Sequence, residues 1–462
     1  MLKIRDSRTG LNRRDFLRIG SLGGLSLPAM LAARSFAAQQ PSLVRDKSVV
    51  FLFMHGGPAQ AELFDPKMTA PAGVRSETGE RATTIPGVTF GGTMERLSQQ
   101  AHRMTVVRSF TTGNGNHDIK PIVCADTMGA NIGSIYSRVV GTNNLRTGMP
   151  TNTALFPRAV DPNTQPANNK FGKFASSGSL GDAYKPFIPG AGGDLQKNME
   201  LVLSRTRLDD RRKLLTRLDR IKRAVDSSGA LHGADRFQQQ AFSTILGGVA
   251  EAFDFSKEDP RTIARYDTAP LVDPKSISKS WNNHKNYADH GQSLGKLMLL
   301  ARRLCEAGCG FVTVTTNFVW DMHADKNNAT MGEGMQYVGK PFDHAASAFI
   351  EDCHERGLSD DILLVCCGEM GRTPKMNAKG GRDHWGGLGP LMLSGGGLPT
   401  GQVIGQSTAD AGEPHTDPVR IPNLVSTIMH TLFDVGQLRL AQEVPRDVSR
   451  LITDGEPIKG LI

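Results

Sequence analysis

Five short strings concentrate the residue types that bind metals and move protons. They are His55 in H-G-G-P (55–58), His117 in N-H-D (116–118), and Asp321 and His323 in W-D-M-H (320–323). Glu369 and Arg372 follow in G-E-M-G-R-T-P (368–374), and Arg382, Asp383 and His384 in G-R-D-H-W (381–385). Imidazole combined with carboxylate suits zinc, manganese or iron, whereas carboxylates alone suit calcium or magnesium. Asp321 and His323 are two apart, so a locally extended backbone points both to the same side. A divalent ion there would polarise a phosphoryl or sulfuryl oxygen and lower the pKa of a water molecule. Arg372 and Arg382 carry planar guanidinium forks able to clamp a tetrahedral anion.

What must position these residues is a set of buried strands. Short apolar runs at 49–54, 104–107, 311–315, 362–367 and 390–393 are bounded by turn residues and do not alternate in polarity. Such runs are expected of parallel strands covered on both faces. Amphipathic helices are predicted over about 292–307, with Leu294, Leu297, Met298, Ala301 and Leu304 inward, and about 342–356, with Phe342, Ala346, Phe349, Ile350 and Cys353 inward. Strands alternating with helices predict an α/β fold with a mostly parallel central sheet flanked by helices. Four of the chemical strings fall directly after a predicted strand. Open parallel sheets bind ligands outside the carboxyl ends of their strands, so distant loops can converge there on one site.

Other features read as structural. The span 143–193 is rich in Pro, Asn, Gly and Ser and reads as surface loops, followed by two helices near 199–226 and 234–253. Together they predict a loop-rich and helical insertion over about 143–290. His102, His232, His354 and His430 sit in helix-like stretches and read as ordinary structural histidines. Ser109 follows a strand without a G-x-S-x-G context, and no glycine string matches a phosphate loop or dinucleotide fingerprint.

Residues 1–38 read as a twin-arginine signal peptide. Arg13 and Arg14 lie in N-R-R-D-F-L-R, an uncharged stretch covers 19–33, and Ser35 and Ala37 occupy the −3 and −1 positions of a cleavage point. Fifteen uncharged residues fall short of the roughly 20 that span a bilayer. The expected location is therefore periplasmic or extracellular, with the twin-arginine translocase as a partner during export and no transmembrane anchor in the mature chain. The signal carries +5 of the formal +8 net charge, leaving about +3 on the remainder, which is no nucleic-acid footprint. The six cysteines show no C-x-x-C spacing and read as buried hydrophobes.

The strings H-G-G-P-A-Q-A-E-L-F-D-P-K (55–67), N-H-D, W-D-M-H, G-E-M-G-R-T-P-K and G-R-D-H-W, in this order, resemble the domain of unknown function 1501 family. That family is placed in the alkaline phosphatase superfamily with the sulfatases, and its members commonly carry twin-arginine signals. Residues 342–369 read like a sulfatase's helix, R-G-L turn and strand. The resemblance implies one alkaline phosphatase/sulfatase-like domain over 39–462. It makes Asp321 and His323 similar to paired metal ligands, puts Glu369 where the superfamily has a ligand Asp, likens His384 to a late-chain ligand, and puts His55 near the first ligand Asp. Ala59 and Glu62 depart from the family's first motif, and no C-x-P-x-R sulfatase signature is present. The expected function is an exported, metal-dependent hydrolase of small-molecule or glycan phosphate or sulfate esters. Zinc, calcium or manganese would be bound by Asp321, His323, Glu369, His384 and His55. Arg372 or Arg382 would hold the anion, and His117 or a water would attack. The alternative is a non-catalytic exported binding protein on the same fold, recognising an anionic glycan or a partner protein.

Overall fold

The computed structural model describes residues 43–190 and 249–462. The expected signal sequence, the helix expected near 199–226 and most of the one expected near 234–253 lie outside the described residues; the end of the latter is helical at Ala250–Phe253.

Seven strands form the central sheet: β1 (Ser48–Phe53), β2 (Thr105–Val107), β3 (Asn152–Leu155), β4 (Phe311–Thr315), β5 (Ile362–Cys367), β6 (Leu391–Gly395) and β7 (Gln402–Ile404). Their spatial order is β7-β2-β6-β5-β1-β4-β3. All run parallel except β6, which is antiparallel to both β5 and β2. The register is tight at the centre, where Val49 lies opposite both Phe311 and Leu363. The fold is thus the mostly parallel α/β sheet that the apolar runs predict, with the fifth run reversed in direction.

Both faces of the sheet are covered. Along β1, Val50 and Leu52 enter one core with helices α2 (His284–Glu306) and α3 (Gly339–Glu355). Val49, Phe51 and Phe53 enter the other with α1 (Ile132–Val140) and α4 (Ile421–Leu432). A strand buried on both sides has no polar face to alternate with, which is why these runs read as continuous hydrophobics. Asn131 caps α1 by accepting from the Gly133 N–H, and Gly308 and Gly357 follow the ends of α2 and α3 with φ of 97° and 71°. The inward residues predicted for α2 and α3 are all buried. No cysteine is disulfide-bonded, and five of the six are buried.

One strand departs from the sequence reading. β3 lies inside the span read as surface loop, yet all four of its residues are buried and it pairs with β4. Its sequence N-T-A-L carries too little apolar character to announce a strand; the β4 edge supplies the pairing. Among the described residues, no helix is long and apolar enough to cross a membrane.

α2 and α3 are cross-linked by a buried charge network. Arg302 is 1% exposed and pairs with Glu258 at 2.7 Å and Asp352 at 3.0 Å, while the Tyr266 hydroxyl donates to Asp352. Removing one partner from such a cluster leaves uncompensated charge in the core. Arg302→Leu is expected to cost about 3–5 kcal/mol, read as a lowered urea midpoint with an unchanged slope.

Candidate metal centre

The chemical strings meet at the carboxyl ends of β1, β2, β4 and β5. His55, Gly56 and Gly57 leave β1, the loop holding His117 follows β2, Asp321 and His323 follow β4, and Glu369 follows β5. His384 arrives on a two-residue strand paired antiparallel with Gly371–Arg372, with His384 opposite Arg372. Gly56 sits at φ 117°, and a Cβ there would stand 2.5 Å from the Asp321 backbone nitrogen. Only glycine lets the β1 loop pass this close to the loop carrying Asp321. Phe318 and Ala324, at φ 53° and 58°, bracket the same loop in left-handed backbone that side chains seldom adopt.

Four side chains, His117, Asp321, His323 and His384, bring one potential ligand atom each to within 4.8 Å of one another. Asp321 Oδ1 is 2.8 Å from His323 Nε2, 3.3 Å from His384 Nε2 and 3.4 Å from His117 Nε2. The Nε2 atoms of His323 and His384 face each other at 2.7 Å. On the far sides of the rings, His117 Nδ1 meets Glu369 Oε1 at 3.1 Å and His323 Nδ1 meets Asp383 Oδ1 at 3.2 Å. Protons held at these two Nδ1 atoms leave the Nε2 lone pairs turned inward, the carboxylate–histidine arrangement that orients metal-ligating imidazoles.

The donor set fits a divalent cation. Arg372 Nη2 also reaches Asp321 Oδ1, at 2.6 Å, so four nitrogens crowd an oxygen with two lone pairs. Hydrogen bonding alone cannot satisfy that convergence. Four donors about 2.0–2.2 Å from one ion lie roughly 3.3–3.6 Å apart; Asp321 Oδ1 stands at 3.3 and 3.4 Å from His384 and His117, while the His323 contacts, at 2.7 and 2.8 Å, are shorter. The charge balance agrees: Asp321, Glu369 and Asp383 against Arg372 leave two negative charges, which one divalent ion neutralises. Burial alone would push the Asp321 carboxyl up, but hydrogen bonds from His117, His323 and His384 and the Arg372 charge hold it well below the usual range. Burial likewise lowers His117, yet its bonds to Asp321 and Glu369 win and raise it. His384 is lowered, chiefly by burial.

Glu369, His117 and His55 differ in their surroundings. Glu369, expected as a ligand, is fully buried behind His117, and its two oxygens accept the Gly56 N–H at 2.9 and 3.2 Å. His117, expected as an attacking group, has a carboxylate at each ring nitrogen and belongs to the cluster. His55 stands outside the four, boxed by Phe53, Phe171, Phe174 and Phe318. Burial lowers its pKa to about 4, so it is neutral.

Neither arginine is held out for an anion. Arg372 is fully buried and donates to the carbonyls of Gly57 (2.7 Å), Gly56, Trp320 and Arg382. Arg382 is 1% exposed, pairs with Glu62 at 3.4 Å, and donates to the carbonyls of Val74, Arg75, Thr373 and Pro374. The sequence motifs assign no role to Asn328, which donates to Asp321 Oδ2 at 3.1 Å, or to the aromatic pair Phe171 and Phe318. Asn328 lies seven residues past Asp321, with no spacing signal to mark it.

A family model described as "Protein of unknown function (DUF1501)" matches residues 46–462. The chain belongs to that family. No curated protein sequence matches it. Similar solved structures include the PsFucS1 sulfatase from Pseudoalteromonas sp., at 10% identity and a TM-score of 0.36, covering 84% of this chain and 68% of that one. The phosphonate monoester hydrolase of Agrobacterium radiobacter matches at 10% identity and TM-score 0.31, covering 90% and 79%. The lipoteichoic acid synthase LtaP from Listeria monocytogenes matches at 8% and 0.30, covering 84% and 72%.

The donor set of this DUF1501 member leads to a direct measurement. Zinc, manganese or cobalt titrated into chelator-treated protein should bind at one ion per chain. An Asp321→Ala/His384→Ala variant should lose that ion, and Glu369→Gln should weaken it about 10- to 100-fold through His117. Equal metal content in wild type and the double variant would overturn the site.

Proposed function

We propose that the protein is an exported, metal-dependent hydrolase of phosphate or sulfate esters, with the metal held by His117, Asp321, His323 and His384. The observation that carries this reading is the convergence of three imidazole nitrogens and one carboxylate oxygen at the strand ends. The ester class rests on the resemblance of the motifs to the family and its superfamily.

A bound divalent ion would supply Lewis acidity toward an ester oxygen and favour hydroxide over water at neutral pH. The protein's own residues do the positioning. Glu369 and Asp383 accept the Nδ1 protons of His117 and His323 and so fix which nitrogen each ring presents. Asn328 holds the second Asp321 oxygen, turning Oδ1 inward. Arg372 neutralises one buried carboxylate from beneath. His384, whose side chain is one-third exposed, is the most solvent-accessible of the four and so the one that substrate and water would meet first. Hydrolysis adds one water across the ester bond, releasing an alcohol, the free acid anion and a proton.

The burial of both arginines removes the anion clamp expected for an ester, which leaves a second reading, a non-catalytic exported protein that recognises an anionic glycan or a partner protein; the glycan option has the same missing clamp. A panel of aryl phosphate and sulfate esters with zinc, manganese and calcium separates the two. Turnover that requires metal and disappears in Asp321→Ala is expected; binding without turnover across the panel would favour the binder. Export is testable independently: Arg13→Lys/Arg14→Lys should leave the full-length protein in the cytoplasm, and undiminished appearance outside it would remove the twin-arginine route.

A further inference from the structure

Asn283 stands at the N-cap position of α2, where an asparagine side chain ordinarily accepts the N–H of the second or third helical residue. Among the described residues it makes no such bond. Its Nδ2 instead donates at 2.8 Å to Oδ1 of Asn328, whose own Nδ2 donates at 3.1 Å to Oδ2 of Asp321. The helix thus forgoes a cap, and the side chain that would form it is turned to the loop carrying a candidate ligand.

The direction of this chain is fixed by chemistry. An ionised carboxylate only accepts, so the Asn328 amide must present its NH2 group to Asp321 and its oxygen to Asn283. That oxygen in turn needs a donor, which Asn283 supplies. Asn328 is 1% exposed, so bulk water does not compete for either group. Bonds in such a chain polarise one another and hold the last acceptor harder than one bond alone.

Both ends of the chain are braced. The N–H groups of Asn282 and Asn283 donate to the carbonyls of Lys326 and Asn327 at 3.0 and 3.1 Å. One turn further along α2, the buried Tyr287 hydroxyl accepts the Ala329 N–H at 3.2 Å. Within the loop, Asp325 Oδ1 accepts the N–H groups of Asn327 and Asn328 at 2.8 and 2.9 Å. The first turn of α2 and the loop beyond Asp321 are thereby bonded together, and the amide chain crosses the seam between them.

We infer that Asn283 is a positioning residue for the metal centre: acting through Asn328, it keeps Oδ2 of Asp321 engaged so that Oδ1 alone is presented to the ion. This rests on the metal-site reading above and extends it to a helix that none of the chemical strings touches.

Cobalt(II) binding to chelator-treated protein tests this without turnover, followed by titration and by the visible absorption of the bound ion, which reports its coordination. Asn283→Asp keeps the shape of the side chain and its ability to cap a helix, but replaces the donor by an acceptor. A merely structural role predicts unchanged binding, and the added negative charge by itself predicts tighter binding. Reversal of the chain predicts the opposite: cobalt held roughly three- to tenfold more weakly, the scale of one hydrogen bond, with a weaker absorption band as Oδ2 turns toward the ion. Asn283→Ala should weaken binding likewise, and no further in a protein already carrying Asn328→Ala. Asn282→Ala removes a 2.7 Å bond to Asn327 across the same seam without touching the chain, and should leave affinity and band unchanged. Affinity and band unmoved by Asn283→Asp, or equal losses in Asn282→Ala and Asn283→Ala, would overturn the inference while leaving the metal site in place. A wild type that binds no cobalt, or no more than Asp321→Ala/His384→Ala does, would overturn both.

Discussion

The Oδ1 oxygen of Asp321 is the point to which the rest of the site answers. Three imidazole nitrogens and a guanidinium aim at one carboxylate oxygen, within 2.6 to 3.4 Å. Holding them there dictates what surrounds them. The β1 loop must contain glycine where it passes the Asp321 backbone, and Phe318 and Ala324 must accept left-handed backbone. Arg372 must be walled in by carbonyls so that it braces the cluster without leaving it. Each is locally unfavourable, and the sheet makes each sustainable. Strands β1, β4 and β5 are adjacent and locked residue for residue, so the loops at their ends inherit a fixed spacing before any side chain is placed.

How much of this was legible in the sequence follows from what each element needs. The central strands are apolar on both faces and declare themselves by composition. β3 does not, because an edge strand of N-T-A-L takes its stability from the neighbouring backbone. The reversal of β6 is equally silent, since an apolar run carries no direction. The long helices were recognised by their inward rows, although α2 begins at His284, earlier than its apolar row suggests. The Pro-, Asn- and Gly-rich span 143–193 shows composition without conformation.

At the site, residue type was legible and role was not. Asp321, His323 and His384, expected as ligands from their motifs, lie together in the cluster. His117, expected as an attacking group, belongs to the same cluster, and Glu369, expected as a ligand, is hydrogen-bonded behind it. Each belongs to the same hydrogen-bonded pair, and sequence cannot say which member faces the ion and which stands behind. The arginines misled for a physical reason. A guanidinium has five donors and serves buried carbonyls as readily as an anion, and only burial distinguishes the two. Phe171, between Lys170 and Gly172 in the span that reads as surface loop, carries no spacing signal.

The position of Glu369 behind His117 bears on how such a centre can be assembled. A carboxylate directly on the ion would bring its charge into the coordination shell. Placed behind His117, with both oxygens also bonded to the Gly56 N–H, the same carboxylate fixes a ring and couples the β1, β2 and β5 loops through one buried group. The ligand geometry then depends on tertiary structure at every step, because no two of these loops are neighbours in sequence. A centre of this kind exists only once the sheet has closed. That dependence fits a chain exported in folded form, as proposed from its paired arginines. It also fits the buried, unlinked thiols, several of which burial pushes far above their usual pKa, so that they act as packing and not as reactive groups.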